Sequence, residues 1–235
     1  MNLPTSIRRL VTYYGRHGFR TTIRRASMAA TRALFANGQV VFSCNLEKPV
    51  PGLSTLPGAV QVERLRDCGE LAAQDLGEIV SFWNPGLAQR NIKERFGQGA
   101  SLWLIRSDGQ LAGFGWTIQG RTLEPHYFRL GSGDVHLFDF LVFPRFRGLG
   151  INPLLVRSIL GRLALECHGR AFIEAAEWNH PQLSSLARTP FHRLGSARKF
   201  TILGHTVVRW KERVAAERAH QDKAEDPSID APAGA

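Results

Sequence analysis

The sequence predicts an α/β fold, with a mixed central sheet, helices on both of its faces and a helical, basic N-terminal extension. Strand and helix patterns alternate along most of the chain from residue 60 onward. A glycine-bearing turn joins an apolar strand to an amphipathic helix at residues 142–151. The composition, 43% hydrophobic and 21% charged, is that of a globular protein. No run of eighteen uncharged apolar residues occurs, so neither a membrane-spanning helix nor a secretory signal is expected.

Each element of the main body follows from a local pattern. Val60–Leu65 alternates apolar and polar residues, as a strand does, and Gly69–Trp83 and Asn84–Phe96 show helical periodicity on either side of an Asn-Pro stop. A glycine-containing turn at residues 107–109 predicts a hairpin. The remaining elements are strands over 102–105, 111–118 and 135–142, a helix over 151–167, a strand over 170–175, a short helix over 181–187, and a last strand or strand pair over 199–208.

The N-terminal extension, residues 1–46, carries most of the positive charge. The formal net charge is +10, and this segment contains seven arginines and no acidic residue. A helical stripe, a second helix over 21–35 and a strand over 39–46 are predicted within it. The stripe consists of Ile7, Leu10, Val11 and Tyr14. We expect the extension to contact an anionic membrane surface rather than nucleic acid; a solvated basic face without a partner is the alternative.

The chain divides by composition into four parts. These are the basic, partly helical extension at 1–46, a Pro- and Gly-rich linker at 47–58, an α/β domain at 59–214 and a disordered tail at 215–235. The three cysteines, Cys44, Cys68 and Cys167, show no zinc-ligand spacing, so no metal site is expected. Free thiols are typical of a reducing compartment. We therefore expect a cytoplasmic protein, associated with the cytoplasmic face of a membrane.

The most informative stretch is HLFDFLVFPRFRGLGINPLL, residues 136–155. Gly148 and Gly150 allow a positive φ or a close approach of the backbone to a ligand. The helix that follows offers unpaired N–H groups, with Asn152 predicted as its N-cap and Pro153 as its first residue. A strand, a basic glycine turn and a helix N-terminus predict an anion cradle. The alternative is a plain βα turn with two glycines, since neither GxxxxGK[ST] nor GxGxxG is present.

The segment VFPRFRGLGI, Val142–Ile151, resembles motif A of the GNAT (GCN5-related N-acetyltransferase) superfamily. The resemblance extends over about Val60 to Val208, and Asn179, followed twelve residues later by Phe191, is similar to the second recurrent segment of the family. The resemblance implies the GNAT fold and an acyltransferase that uses acetyl-CoA as co-substrate, without a metal. It also implies direct attack of an amine on the thioester.

The phosphate motif of the family, R/Q-x-x-G-x-G/A, falls on Arg147–Asn152, where Asn152 replaces the last small residue. An overlapping register, Arg145–Gly150, also fits the motif. The resemblance implies that the pyrophosphate binds the backbone amides of this loop, that the Phe140 N–H polarises the thioester carbonyl, and that Val142 meets the pantetheine arm. The implied acetyl-CoA-binding residues are Phe140, Leu141, Val142, Arg147, Gly148, Leu149, Gly150, Ile151, Asn152 and Asn179.

His136 is the leading candidate for the catalytic base. It matches the position of a catalytic glutamate in the histone-acetylating members, and imidazole titrates near neutral pH. Asp139, placed on the opposite strand face by alternation, is an alternative. Glu174 and Glu177, which flank the end of the next strand, are further alternatives. Many family members have an acidic tyrosine seven residues after the recurrent Asn; here that position is Leu186.

Three residues are predicted to bind the acceptor. Glu124 and His126 lie in a polar, aromatic segment between two strands, and Trp83 lies in the helix pair that forms the opposite wall in the family. By analogy with similar chains, we expect an amino sugar of envelope polysaccharide synthesis. Two other classes of function stay open: a non-catalytic binding module that has kept the CoA fold, and a peripheral membrane or nucleic-acid binder that acts through the extension.

Overall fold

The computed structural model describes residues 38–47, 59–81, 85–123, 127–166, 169–202 and 205–212. The strands in this part of the chain are β1 (Gly38–Asn45), β2 (Val60–Leu65), β3 (Ser101–Ser107), β4 (Gln110–Gln119), β5 (Val135–Val142), β6 (Arg170–Ala176), β7 (His192–Ile202) and β8 (His205–Glu212). The α-helices are α1 (Ala73–Ser81), α2 (Pro85–Gly97), α3 (Ile151–Leu165) and α4 (His180–Leu186). The predicted order of strands and helices in the main body is confirmed, whereas the helical stripe and the helix over 21–35 lie outside the described residues. The first predicted helix is shorter, because a 3-10 turn at Cys68–Glu70 precedes it, and β7 begins earlier than expected.

All eight strands form one mixed sheet in the order β2-β3-β4-β5-β6-β1-β7-β8. Neighbouring strands are antiparallel except β5 and β6, which are parallel. β1, which the sequence pattern assigns to the extension, lies between β6 and β7 in the interior of the sheet. Its side chains are buried on both sheet faces, which explains why its pattern is a short apolar run rather than an alternation. The other predicted domain limits stay predictions.

Helices cover both faces of the sheet, as predicted. α3 packs against β1, β5 and β6 through a cluster that includes Leu155 and Ile159. α1 and α2 cover the opposite face over β3 and β4. A partly buried ion pair between Asp75 of α1 and Arg106 of β3, 2.5 Å apart, joins this helix to the sheet. Hydrogen bonding to Asp75 raises the pKa of the Arg106 guanidinium. None of these described helices has the length and apolar character needed to cross a bilayer.

β5 diverges from β6 halfway along its length. The parallel pairing covers three residue pairs and ends at Leu137 opposite Ile173. Immediately afterwards the pairing with β4 shifts register, so that two β5 residues, Asp139 and Phe140, lie opposite Gly115. Asp139 has a φ of 48°, a left-handed conformation that fits a β-bulge. The bulge bends β5 away from β6 and opens a gap between their C-terminal ends.

α3 begins at Ile151, as the helix predicted over 151–167 does, but its cap differs from the predicted one. Its N-cap is Gly150, with a φ of 76°, and its first helical residue is Ile151. The expectation that Asn152 is the N-cap and Pro153 the first helical residue is therefore wrong. The physical reason is that a left-handed glycine turns the chain directly into the helix, which places the Asn152 side chain beyond the cap position.

The described cysteines are packing residues. Cys44 lies on β1 in the core beneath α3, and burial raises the pKa of its thiol from 9.0 to about 11. The thiol is therefore protonated and unreactive near neutral pH. Cys68 is half-buried and also free; Cys167 lies outside the described residues.

Candidate functional site

A cleft of about 510 Å³ opens at the C-terminal end of β5, between the N-terminus of α3 and the short helix α4. It brings together most of the residues that were predicted to bind the cofactor. Those in its lining are Phe140, Leu141, Val142, Arg147, Gly148, Gly150, Ile151, Asn152 and Asn179. Leu149 is absent from the lining, and its side chain is largely exposed.

The divergence of β5 leaves backbone N–H groups facing the cleft. The Phe143 N–H donates to the Ala112 carbonyl of β4 at 3.0 Å. Backbone N–H groups alternate in direction along a strand, so those of Phe140 and Val142 are directed to the side from which β6 has withdrawn. The Val142 carbonyl is directed to that side too, and it accepts a bond from Arg147 Nε at 3.2 Å. The strand end therefore offers donors at the positions that the sequence motif predicts.

The loop between β5 and α3 has the geometry of an anion cradle. Gly148 and Gly150 have φ values of 80° and 76°. A Cβ added at either residue would meet no atom within 4 Å, so the space beside both backbones is open. The first N–H groups of α3 have no partner inside the helix and point along its axis toward this space. These features suit a pyrophosphate bound at the start of α3.

Asn152 connects the loop to α4 and leaves an acceptor for a ligand. Its Nδ2 donates to Ser185 Oγ at 2.7 Å and to Gln182 Oε1 at 3.3 Å. Its Oδ1 is buried and has no hydrogen-bond partner among the described residues. A buried carbonyl oxygen without a donor is costly. An N–H group of a ligand in the cleft would satisfy it.

The described lining of the cleft is basic. It contains two cationic side chains, Arg147 and Arg188, and no carboxylate. The neighbouring Arg145 is directed elsewhere: it contacts Glu78 at 2.6 Å and the Leu111 carbonyl at 3.2 Å. The phosphate motif therefore fits the Arg147–Asn152 register better than the Arg145–Gly150 register. The charge and the loop together favour an anionic ligand.

On the opposite face of the sheet, His136 and Glu174 form a hydrogen-bonded pair where β5 and β6 begin to diverge. His136 Nε2 lies 2.8 Å from Glu174 Oε2. An ionised carboxylate can only accept, so Nε2 donates. The His136 side chain is 7% exposed and the Glu174 side chain 23%. His136 also stacks on Phe138. Glu174, which follows the last β6 residue paired with β5, is the more accessible of the two.

Asp139 does not lie on the face that strand alternation predicts. Its carboxylate forms an ion pair with Arg95 of α2, and the Arg95 guanidinium lies over the rings of Trp116 and Phe138. This is the α2 face, the same face as His136. The prediction fails because the bulge inserts one residue and ends the period-2 alternation at this point. Asp139 thus holds the bulge to α2.

Of two further predicted residues, Glu177 lies away from the cleft and Asn179 lies in its wall. Glu177 is exposed, and its carboxylate lies beside Gly38 at the start of β1 rather than beside His136. Asn179 lines the cleft but also caps α4, where its side-chain oxygen accepts from the Gln182 N–H at 3.3 Å. The predicted acceptor residues Trp83, Glu124 and His126 lie outside the described residues.

Sequence reasoning missed part of the site. The unpredicted residues of the lining are Phe146, Pro153, Pro181, Gln182, Ser184, Ser185 and Arg188. Most lie on α4 or directly after it, and the recurrent Asn179 at its N-terminus was the signal that could have indicated this helix. Arg95 was also missed, because a basic residue in the last turn of a helix is ordinary in any surface helix.

The comparisons with known proteins agree with this geometry. Residues 65–194, more than half of the chain, match the model of the acetyltransferase (GNAT) family. Comparison with curated protein sequences found no match.

Several solved structures are similar in fold. A tandem GNAT protein from the clavulanic acid biosynthesis pathway is 16% identical with a TM-score of 0.51, and the match covers 79% of this chain and 56% of that one. A GNAT acetyltransferase from Colwellia psychrerythraea is 13% identical with a TM-score of 0.48, and the match covers 75% of this chain and 56% of that one. A GNAT acetyltransferase from Novosphingobium aromaticivorans is 14% identical with a TM-score of 0.44, and the match covers 68% of this chain and 61% of that one. The chain spans 56–61% of the length of these proteins. The match to the family model over more than half of the chain shows that the chain belongs to the GNAT family of acetyltransferases.

Proposed function

We propose that this GNAT acyltransferase transfers the acetyl group of acetyl-CoA to a small amine, and that the amine belongs to an amino sugar used in envelope polysaccharide synthesis. One observation carries the proposal. β5 diverges from β6 beside a glycine loop and a helix N-terminus, which together form a basic cleft of the size of a cofactor site. When bound, acetyl-CoA supplies an activated acyl group, so no covalent enzyme intermediate is needed.

The residues present fit the parts of acetyl-CoA. The amides of the loop from Gly148 to Ile151 and the guanidinium groups of Arg147 and Arg188 would hold the phosphates. The N–H groups of Phe140 and Val142 face the cleft, and the orphan Oδ1 of Asn152 needs a donor such as a pantetheine amide. In this proposal the Phe140 N–H donates to the thioester carbonyl, where negative charge develops during the attack.

The proton of the attacking amine passes, in this proposal, to the Glu174–His136 pair. Glu174 is the accessible member and lies where the strands separate. His136 Nε2 donates to Glu174 Oε2 and holds the Glu174 carboxylate in place. The sequence predicts His136 as the catalytic base; here we propose instead that Glu174 accepts the proton and that His136 supports it. Asp139 is left out of the proton path because its carboxylate is bound to Arg95.

No tyrosine lines the described part of the cleft to protonate the leaving thiolate. Leu186 occupies the usual tyrosine position and is fully buried under α3. Ser184 and Ser185 line the cleft, but a serine hydroxyl is far too weak an acid to act unaided. We propose that water supplies this proton.

The acceptor side combines aromatic and charged groups. The half-buried Phe138 ring, which stacks on the fully buried Trp116, lies on the same face as Arg95 and Glu174. Rings beside hydrogen-bonding groups suit a hydroxylated amine, which supports the amino-sugar proposal. We also propose that the protein is cytoplasmic and that its basic extension contacts the membrane.

Replacing Gly150 with glutamate is expected to weaken acetyl-CoA binding by at least about a hundredfold, because the new carboxylate would fill the open space beside the loop and repel the phosphates. Calorimetric titration measures the affinity. Gly109→Glu is the matched control, since Gly109 has a similar φ of 74° and equally open surroundings in the β3–β4 turn. Equal affinities in the two variants would contradict the proposed cradle.

A free-thiol assay with acetyl-CoA and a panel of amines tests the acceptor. The panel contains a 2-amino sugar, a simple alkylamine and a lysine-containing peptide. We expect thiol release to be fastest with the amino sugar. Faster release with the peptide would refute the amino-sugar assignment. Binding of acetyl-CoA without thiol release from any amine would favour the non-catalytic binding module.

Glu174→Gln is expected to lower kcat by ~10²–10⁴, the usual effect of losing a general base, while acetyl-CoA affinity stays the same. His136→Gln keeps a side-chain donor for Glu174, so we expect a loss of only about tenfold and a pH–rate profile that keeps its acidic limb. The result that would contradict these roles is an acidic limb that disappears in His136→Gln and persists in Glu174→Gln.

A further inference from the structure

One face of the β7–β8 hairpin displays a row of cations. Arg198 lies directly opposite Arg209, and Lys211 lies opposite Ser196. Arg193 lies opposite Phe42 of β1, which faces α3. Residues paired across antiparallel strands share a sheet face. These four exposed residues, here called the basic sheet face, therefore lie on the α3 side of the sheet: Arg193, Arg198, Arg209 and Lys211.

Folding alone does not explain this arrangement. None of the four forms an ion pair with a carboxylate in the part of the chain that the structure describes, and like charges directly opposite each other destabilise a sheet. Neighbours two residues apart on a strand are about 7 Å apart, within the Debye length of about 10 Å at 0.1 M salt. Charged residues on an edge strand prevent it from pairing with another chain, which explains the cations on β8. Arg198, however, is on β7, which is paired on both sides.

The basic sheet face belongs to a basic part of the chain. The region from His192 to Glu212, here called the basic region, contains five Lys or Arg residues against the single carboxylate of Glu212. β1 begins at Gly38, which lies opposite Arg198 in the sheet. In the sequence, β1 directly follows residues 1–37, which contain seven arginines and no acidic residue.

The basic sheet face also lies at the same end of the sheet as the cleft. The Glu177 N–H, just beyond β6, donates to the Gly38 carbonyl at 3.0 Å. Two residues further on, Asn179 lines the cleft. A surface that bound the basic region would therefore lie beside the cleft.

The side chains around the cations favour a lipid surface over nucleic acid. Val207, two residues from Arg209 on the same face of β8, is 50% exposed, and an exposed aliphatic group among cations suits the boundary of headgroups and acyl chains. Single-stranded nucleic acids stack on exposed aromatic rings. The aromatic residue of β8, Trp210, instead packs against Tyr127 and Phe128 on the other sheet face.

We propose that the basic sheet face docks on an anionic phospholipid bilayer and holds the cleft beside the bilayer surface. This docking does not depend on the proposed acetyl transfer. It is also distinct from the membrane contact proposed for the extension, because it uses a folded surface whose residues can be changed one at a time.

Co-sedimentation of the full chain with vesicles tests the proposal. The vesicles are phosphatidylcholine alone, or phosphatidylcholine with about a third of phosphatidylglycerol, at 0.1 M salt and without acetyl-CoA. The test variant is Arg198→Gln/Arg209→Gln/Lys211→Gln. The matched control removes three exposed cations elsewhere, Arg66→Gln/Arg90→Gln/Arg162→Gln, each of which lies near a carboxylate. Circular dichroism and Tm establish that both variants fold.

Each basic residue near an anionic leaflet contributes about a fivefold gain in binding, so we expect the test variant to bind the anionic vesicles about a hundredfold more weakly than the control. Equal binding by the two variants, or equal binding to both kinds of vesicle, would overturn the proposal. So would preferential binding to duplex DNA in a competition, because that would assign the face to nucleic acid.

Calorimetry of both variants with acetyl-CoA separates this face from the cofactor site. We expect unchanged affinity. A loss of acetyl-CoA affinity in the test variant with unchanged vesicle binding would make the face part of the cofactor site and would also overturn the proposal.

Discussion

The site depends on one extra residue in β5. Asp139 and Phe140 together lie opposite Gly115, and Asp139 takes a left-handed conformation that costs on the order of 1 kcal/mol or more. Two features hold this bulge in place. Arg95 binds the Asp139 carboxylate from α2. Gly115 has no side chain, so the Phe140 ring fits where a Cβ would otherwise lie.

The bulge has consequences on both faces of the sheet. On the α3 face it ends the β5–β6 pairing and leaves the N–H groups of Phe140 and Val142 directed into the cleft. On the α2 face it leaves Glu174 at the point where the strands separate, with His136 behind it. A cofactor on one face and an acceptor on the other can therefore meet through the gap. The glycine loop and the start of α3 complete the anionic end of the cleft.

The sequence predicts the regular parts of this fold well because their patterns are local. Val60–Leu65 is a strand with the predicted limits, since one of its faces is half-exposed and the alternation is visible. The two loop glycines were identifiable because they stand in a short turn between a strand and a helix, where glycine readily takes the positive φ values that the chain needs. Most of the predicted cofactor residues therefore line the cleft.

The parts that were missed depend on contacts distant in sequence. The position of β1 inside the sheet follows from its pairing with β6 and β7, more than a hundred residues away. The direction of Asp139 depends on a bulge that no local pattern marks. Asn152 was predicted as a cap because Asn-Pro is a common start of a helix, but its amide is used by Ser185 on α4. Nothing in the local sequence indicates that contact.

Amide hydrogen exchange of β5, with and without acetyl-CoA, tests whether the divergence of this strand creates the cofactor site. We predict that the Phe140 and Val142 amides exchange quickly in the free protein and become protected on addition of acetyl-CoA. The Phe143 amide, which is bonded to the Ala112 carbonyl of β4, should be protected in both states. Protection of Phe140 and Val142 in the free protein, or exchange that acetyl-CoA leaves unchanged, would contradict this role of the strand.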